Sequence, residues 1–162
     1  MQPKTIVVGA DPWGLALKDA IKAHLEKSGI QIVDVGMQVS GAEMPYYEIA
    51  AAVARKVQKK EADGGLLFCG TGMGVALVSN KFKGIFAGVV ESEFTGKMCR
   101  VVNNCNVLTM GGMIISEHKA KMAVDAWLTM QHTEGLDAKL SGFLKTSLSK
   151  IAQIENANFV GD

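Results

Sequence analysis

The stretch GGLLFCGTGMGVALVSNKFKG, residues 64–84, decides how this chain is read. A short apolar run ends at Cys69. Glycines follow at 70, 72 and 74, around Thr71. A small-residue segment of helical character comes next, and a second apolar run, GIFAGVV (84–90), opens after it. Strand, glycine turn, helix and strand in that order suit a parallel sheet covered on both faces. Strands buried on both sides show continuous apolar runs instead of alternation.

The same pattern extends in both directions. TIVVGA (5–10), QIVDVG (31–36) and NVLTMGG (106–112) are further strands, each ending in a turn residue. Between them lie stripes of helical period. Leu17, Ile21 and Leu25 form one, Ile49, Val53 and Val57 another, and Ala120, Val124 and Trp127 a third. Phe94 and Met98 predict one more helix. The expected fold is therefore α/β, a doubly wound sheet of five parallel strands with helices on both faces, in a single domain over 1–162. In such sheets ligands bind at the carboxyl ends of the strands. This places interest on Asp11, on Cys69 to Gly74, on Glu91 and on the surroundings of the fifth strand. The tail carries Leu136, Leu140, Leu144, Leu148 and Ile151 at helical spacing, which predicts a helix over 136–155. It reads either as closing its own core or as an arm packed on a second subunit.

Composition narrows the function classes. A net charge of +1 gives no electrostatic reason to expect nucleic acid or an anionic membrane as partner. No apolar run approaches the roughly 20 residues of a membrane span. The segment MQPKTIVVGAD reads as the entry to a strand, not as a signal peptide. Three cysteines, Cys69, Cys99 and Cys105, without CxxC spacing, argue against a disulfide framework and against a structural zinc site. A cytoplasmic protein without metal is expected.

The glycine turn fits neither nucleotide pattern. A P-loop requires GxxxxGK[ST], and the dinucleotide fingerprint requires GxGxxG, whereas GTGMGV supplies G-x-G-x-G. Glu91, at the end of the next strand, is the one residue that keeps a nucleotide-binding module in play. Cys69 sits where a thiolate is favoured, at the mouth of a helix and beside turning backbone amides. That setting suits nucleophilic attack, or proton abstraction next to a carbonyl with the amides holding the enediolate oxygen. A cysteine hydrolase normally pairs its thiol with histidine. His24 and His118 read as surface residues and His132 as a helix end, so proton transfer is favoured. Asp11, in GADPWG, reads as a helix cap followed by Pro12, or as an acid orienting a hydroxyl. Asn103, Asn104 and Asn106 are turn formers or a hydroxyl-binding cluster. Tyr46 and Tyr47 offer a phenol or an apolar wall.

Together these residues resemble the ribose-5-phosphate isomerase B family, which includes the galactose-6-phosphate isomerase subunits. The resemblance rests on GAD (9–11), Lys18, VDVG (33–36), Tyr46, CGTGMG (69–74), NK (80–81), GI (84–85), Arg100 and N-x-x-NVL-x-x-G (103–111). It implies a cofactor-free aldose–ketose isomerase, dimeric or a dimer of dimers, with active sites shared between subunits. It implies Cys69 as the proton-shuttling base. Thr71 and the amides of Gly70, Gly72 and Gly74 would stabilise the enediolate. Asp11, Tyr46 and Asn103 would hold substrate hydroxyls, with Asn103 reaching across from the partner subunit. A heteromeric isomerase subunit is the other reading within the family.

The departures from the family pattern concern the sugar. Pro12 and Val102 stand where the ribose isomerases usually carry histidines, the second of which opens the furanose ring. Met113, Leu136 and Leu140 stand where basic residues often hold the phosphate. Lys18, Arg100, Lys139 and Lys145 remain as candidate anchors. A four-carbon sugar phosphorylated on O4 cannot close a furanose, because the closing oxygen is blocked, and needs no ring opener. PYY (45–47), RVVNNCNVLTMGG (100–112) and TEGL (133–136) also look like the erythritol-pathway branch, which interconverts erythrulose 4-phosphate and erythrose 4-phosphate. The expected substrate is D-erythrulose 4-phosphate in preference to ribose 5-phosphate.

Overall fold

The computed structural model describes residues 5–159. The expected domain limits and the reading of the segment before Thr5 extend outside these residues. The elements run β1 Thr5–Ala10, α1 Leu15–Lys27, β2 Gln31–Asp34, α2 Tyr46–Gln58, β3 Gly64–Cys69, α3 Met73–Ser79, β4 Ala87–Val89, α4 Glu93–Val101, β5 Val107–Gly111, α5 Glu117–Thr129 and α6 Ala138–Asn158. The five strands are parallel, in the order β2-β1-β3-β5-β4.

Right-handed crossovers then fix the faces. The chain steps one way from β1 to β2 and from β4 to β5, and the other way from β2 to β3 and from β3 to β4. Accordingly α1 and α5 bury Leu17, Ile21, Val124 and Trp127 on one face, with Cys99 of α4 packed beside them. On the other face α2 and α3 bury Ile49, Val53 and Val75. The loops after β1 and β5 leave toward the first face and the loop after β3 toward the second. Two topological switch points therefore flank the carboxyl end of β3, where Cys69 stands. Loops that diverge in this way leave a crevice for a ligand.

Three strands are shorter than the runs that predicted them, the fifth by only one residue at each end. The fourth, expected over 84–90, is confined to Ala87–Val89, because Gly84 has φ +78° and the Ile85 amide closes a turn on Phe82 O. The second stops at Asp34, although the Val35 and Met37 amides still reach Val8 O and Ala10 O. Phe94 does not join the core. It is exposed on α4, which instead packs through Gly96, where a Cβ would collide with Ala123 O of α5.

The tail helix starts at Ala138, after Asp137 caps it by accepting from Leu140 N at 2.9 Å. Leu136 falls in the preceding turn. Leu144 is the one buried residue of α6, and Glu155 takes the Gly84 amide at 2.7 Å. Leu140 and Ile151 stay exposed, as do Phe143 at 65 % and Ile154 at 63 %. Leu144 and Glu155 thus hold this helix to its own chain, while most of its apolar surface has nothing from the described residues over it. Among the described residues no helix is long and apolar enough to cross a membrane.

Candidate active site

Strand register assembles the site. Ala10 of β1 pairs with Phe68 of β3, and Cys69 pairs with Gly111 of β5. The three loops that follow therefore start side by side. The Asp11 amide donates to Phe68 O at 3.3 Å, the Gly112 amide to Cys69 O at 2.8 Å and the Met113 amide to Gly70 O at 3.1 Å. Between them opens a pocket of about 470 Å³, lined by Asp11, Trp13, Tyr46, Cys69, Gly70, Thr71, Gly74 and Met113.

Cys69 is buried, and its Sγ accepts a hydrogen bond from the Gly72 amide at 3.1 Å. Gly72 makes this possible: its φ of +78° is a left-handed conformation that glycine adopts without strain. A Cβ there would lie 2.9 Å from the Met110 carbonyl carbon, so the turn hugs β5 as well. Thr71 is exposed beside the sulfur, and its Oγ1 accepts from the Met73 amide at 3.3 Å. Gly74 packs under the Tyr46 ring, where a Cβ would stand 2.9 Å from Cε2. Tyr46 opens α2, and Tyr47 meets its ring edge-on at 5.6 Å.

Asp11 caps the turn into α1 and also lines the pocket. Its Oδ1 accepts from the Trp13 and Gly14 amides at 3.0 and 3.1 Å, capping the turn into α1. Oδ2 has no hydrogen bond from the described residues, and the side chain lines the pocket. Burial pushes the carboxyl above the ordinary range, while the Gly14 and Trp13 amides pull it back.

Three expected site residues do not join this pocket within one chain. Lys18 is 0 % exposed, and its Nζ is held by Asp34 Oδ2 at 2.9 Å, Met37 O at 2.7 Å and Asp19 Oδ1 at 3.3 Å. An ammonium so fully paired is a tie between α1 and the end of β2, not a phosphate anchor. Arg100 stacks its guanidinium 4.6 Å from the Trp127 ring centroid, and its Nε donates to Trp127 O. Asn103 belongs to the loop that enters β5. Because α4 returns antiparallel to the strands, this loop lies at the amino edge of the sheet, opposite Cys69. Of the two readings given for the asparagines, turn formers or a hydroxyl-binding cluster, Asn106 takes the first. It ties the amino edge together, accepting from Phe86 N and donating to Gly84 O.

The histidines lie outside the pocket lining. His24 Nε2 meets Asp125 Oδ1 at 2.7 Å between α1 and α5, His118 is exposed, and His132 lies in the turn before α6. Glu91 follows β4, which β5 separates from β3, so it stands apart from the glycine turn. Trp13 is the site residue not anticipated in the sequence. Its signal was present, an aromatic in GADPWG in the loop that leaves the ligand edge.

The pocket thus sets a cysteine held by a backbone amide and a carboxylate on one wall, at the carboxyl edge of a doubly wound sheet. The family model of the Ribose/Galactose Isomerase matches residues 6–140. Among curated relatives, the 4-deoxy-4-sulfo-D-erythrose isomerase of Clostridium sp. (strain MSTE9) is 37 % identical over 94 % of this chain and 96 % of its own. The ribose-5-phosphate isomerase B of Escherichia coli (strain K12) is 41 % identical over 82 % of this chain and 88 % of its own. The D-erythrulose-4-phosphate isomerase 2 of Mycolicibacterium smegmatis is 36 % identical over 78 % and 84 %. Among solved structures, the ribose-5-phosphate isomerase B of Mycoplasma genitalium with bound ribulose-5-phosphate superposes with a TM-score of 0.84. It is 33 % identical, with 94 % of this chain and 96 % of that one covered. The chain belongs to the ribose/galactose isomerase family and is an aldose–ketose isomerase by class.

Proposed function

We propose that this isomerase acts, without a cofactor, on a four-carbon sugar whose C4 carries an anionic group, with D-erythrulose 4-phosphate favoured over ribose 5-phosphate. The observation that carries the reading is the Cys69 sulfur held by the Gly72 amide at 3.1 Å on the wall of a pocket that Asp11 also lines. Cys69 as thiolate takes the proton from C1 of the ketose, and electrons move to the C2 oxygen. The cis-enediolate is held by the amides of the Gly70–Gly74 turn and by the Thr71 hydroxyl. The C1 hydroxyl proton passes to the C2 oxygen, with the Thr71 hydroxyl as relay, and the thiol returns its proton to C2, which closes the C1 carbonyl, yields the aldose and restores the thiolate. Asp11 Oδ2 and the Tyr46 hydroxyl orient substrate hydroxyls. Fixed dipoles aimed at the developing oxyanion need no reorganisation during the reaction.

The four-carbon preference rests on Val102 and Pro12, neither of which can protonate a ring oxygen. It rests also on Met113, which borders Gly70 with Sδ 3.3 Å from a Cβ built there and offers no positive charge to a distal phosphate. A second reading is favoured by the broad match to the sulfo-erythrose isomerase. A sulfonate on C4 likewise leaves no hydroxyl for ring closure, and it carries one negative charge where a phosphate carries nearly two. Steady-state kcat/KM for D-erythrulose 4-phosphate, 4-deoxy-4-sulfo-D-erythrose and ribose 5-phosphate separates the readings. The phosphorylated tetrulose is expected to lead. A lead for the sulfonate selects the second reading, and a clear ribose preference overturns both.

The pocket is open on an apolar rim formed by Trp13 at 70 % exposure, Met113 at 69 % and Met73 at 60 %, with Leu77 next along α3. We infer that a second copy of the chain covers this rim and brings Asn103 to it, since Asn103 cannot reach Cys69 of its own chain.

A further inference from the structure

Cys99 and Cys105 take no part in the pocket, yet they are set against each other. The Cys105 amide donates to Cys99 O at 2.8 Å, which fixes the two backbones side by side. Both sulfurs sit over Gly88 of β4. A Cβ at that position would lie 2.5 Å from Cys99 Sγ and 3.3 Å from Cys105 Sγ, so the pair occupies the room a side chain would take. Cys105 is buried and Cys99 is partly exposed at the face of α4. A disulfide needs Cα atoms within roughly 4.4–6.8 Å and facing Cβ vectors. A backbone hydrogen bond between the same two residues, with both sulfurs gathered over Gly88, brings them within reach of that geometry.

The geometry points to a redox site: Cys99 and Cys105 are a dithiol that a hydroperoxide converts reversibly to a disulfide. Cys99 is the attacking sulfur. The Cys105 thiol donating to it lowers its pKa, burial opposes this, and the Arg100 charge adds to the lowering. The same contact and burial push the Cys105 thiol up. The Cys99 thiolate attacks one peroxide oxygen. An S–O bond forms, the O–O bond breaks, and the departing oxygen leaves as water after taking a proton. The Cys105 sulfur, giving up its proton, then attacks Cys99. The S–S bond forms, the S–O bond breaks, and a second water leaves. Two thiols are oxidised by two electrons, and one hydroperoxide is reduced. The ring so closed contains Arg100, Asn103 and the left-handed Asn104, φ +48°, so oxidation clamps the loop that enters β5.

The test is peptide mapping of the full chain after stoichiometric hydrogen peroxide, with free thiols alkylated and trypsin used without reductant. Trypsin cuts after Arg100, so the two cysteines fall in separate peptides, 98–100 and 101–119. The expected product is these two peptides joined, lighter by two hydrogens than their sum and released by dithiothreitol. In Cys105→Ser the joined species is expected to vanish, leaving Cys99 as a dimedone-reactive sulfenic acid. Recovery of both wild-type peptides fully alkylated, or Cys99 joined to Cys69 or to another chain, overturns the assignment. The readout is a peptide mass, so it stands whichever sugar the enzyme takes.

Discussion

At the scale of single residues, the chemistry converges on one sulfur whose position is set by glycine conformation. Removing it leaves the cradle intact, because the Gly72 amide and the Thr71 backbone do not depend on the side chain they surround. Cys69→Ala is therefore expected to lower kcat by about 10³-fold or more, a loss of the size that removing a general base brings, with the thermal midpoint little changed. Solvent-deuterium exchange at the substrate carbon checks the assignment more directly, since retained exchange in that variant would place the base elsewhere. Lys18 and Asp34 make a different argument. Burial pushes the Asp34 carboxyl up, but hydrogen bonds from Lys18, Gln38 and the Gly36 amide, with the Lys18 charge, outweigh it and hold the carboxyl below its ordinary 3.8. A lowered carboxylate stabilises the fold above its unfolded pKa and loses that contribution as pH falls through the folded value. The midpoint of wild-type unfolding should thus drop as pH falls below about 4, and Asp34→Asn should flatten that part of the profile. The same variant leaves a buried ammonium short of its main partner and should cost about 3 kcal/mol at neutral pH in denaturant unfolding.

At the scale of elements, α6 poses the clearest question. Its turn-by-turn leucines gave away a helix but not what would lie on it. Periodicity records that a face is apolar and is silent on which chain buries it. Leu144 and Leu148 turn toward their own chain, while Phe143, Ile151 and Ile154 form a neighbouring stripe left open. If that stripe seats a second copy, Phe143→Glu with Ile154→Glu should lower the mass seen by light scattering. The same pair should leave the stability of the single chain within about 0.5 kcal/mol, as for surface substitutions generally. An unchanged mass would assign the stripe no role in assembly. The Cys69–Gly74 turn, by contrast, was legible as a turn because its strand end, glycines and helix start are local, although the β5 backbone and the Tyr46 ring that press on Gly72 and Gly74 are not. The edge of the sheet at which Asn103 stands was not legible, for the opposite reason. Its edge of the sheet is decided by α4 running back against the strands, and by β4 taking the outer position with β5 between it and β3. Both are non-local facts. Lys18 was misread because its ion pair joins a helix to a strand sixteen residues away.

At the scale of the whole molecule, the two halves of the proposed site lie at opposite ends of one sheet. The proposed second copy would resolve this through an isologous two-fold interface, which applies the same patch on both subunits and so would make each pocket from one chain's Cys69 and the other's Asn103. The arrangement predicts complementation. Cys69→Ala and Asn103→Ala homodimers should each be nearly inactive, because every site in them lacks one group. In a mixed dimer one site combines the intact Asn103 of the first chain with the intact Cys69 of the second, and the other site lacks both. Random pairing of equal amounts makes about half the dimers mixed, so co-refolding should recover about a quarter of wild-type kcat per site. Activity equal to the sum of the separate homodimers would mean that each chain completes its own site, and the second copy would then have no place in the chemistry. Recovery that appears on co-refolding, but not on brief mixing of the folded proteins, would tie the regained sites to subunit exchange and identify the interface as the place where the substrate is held.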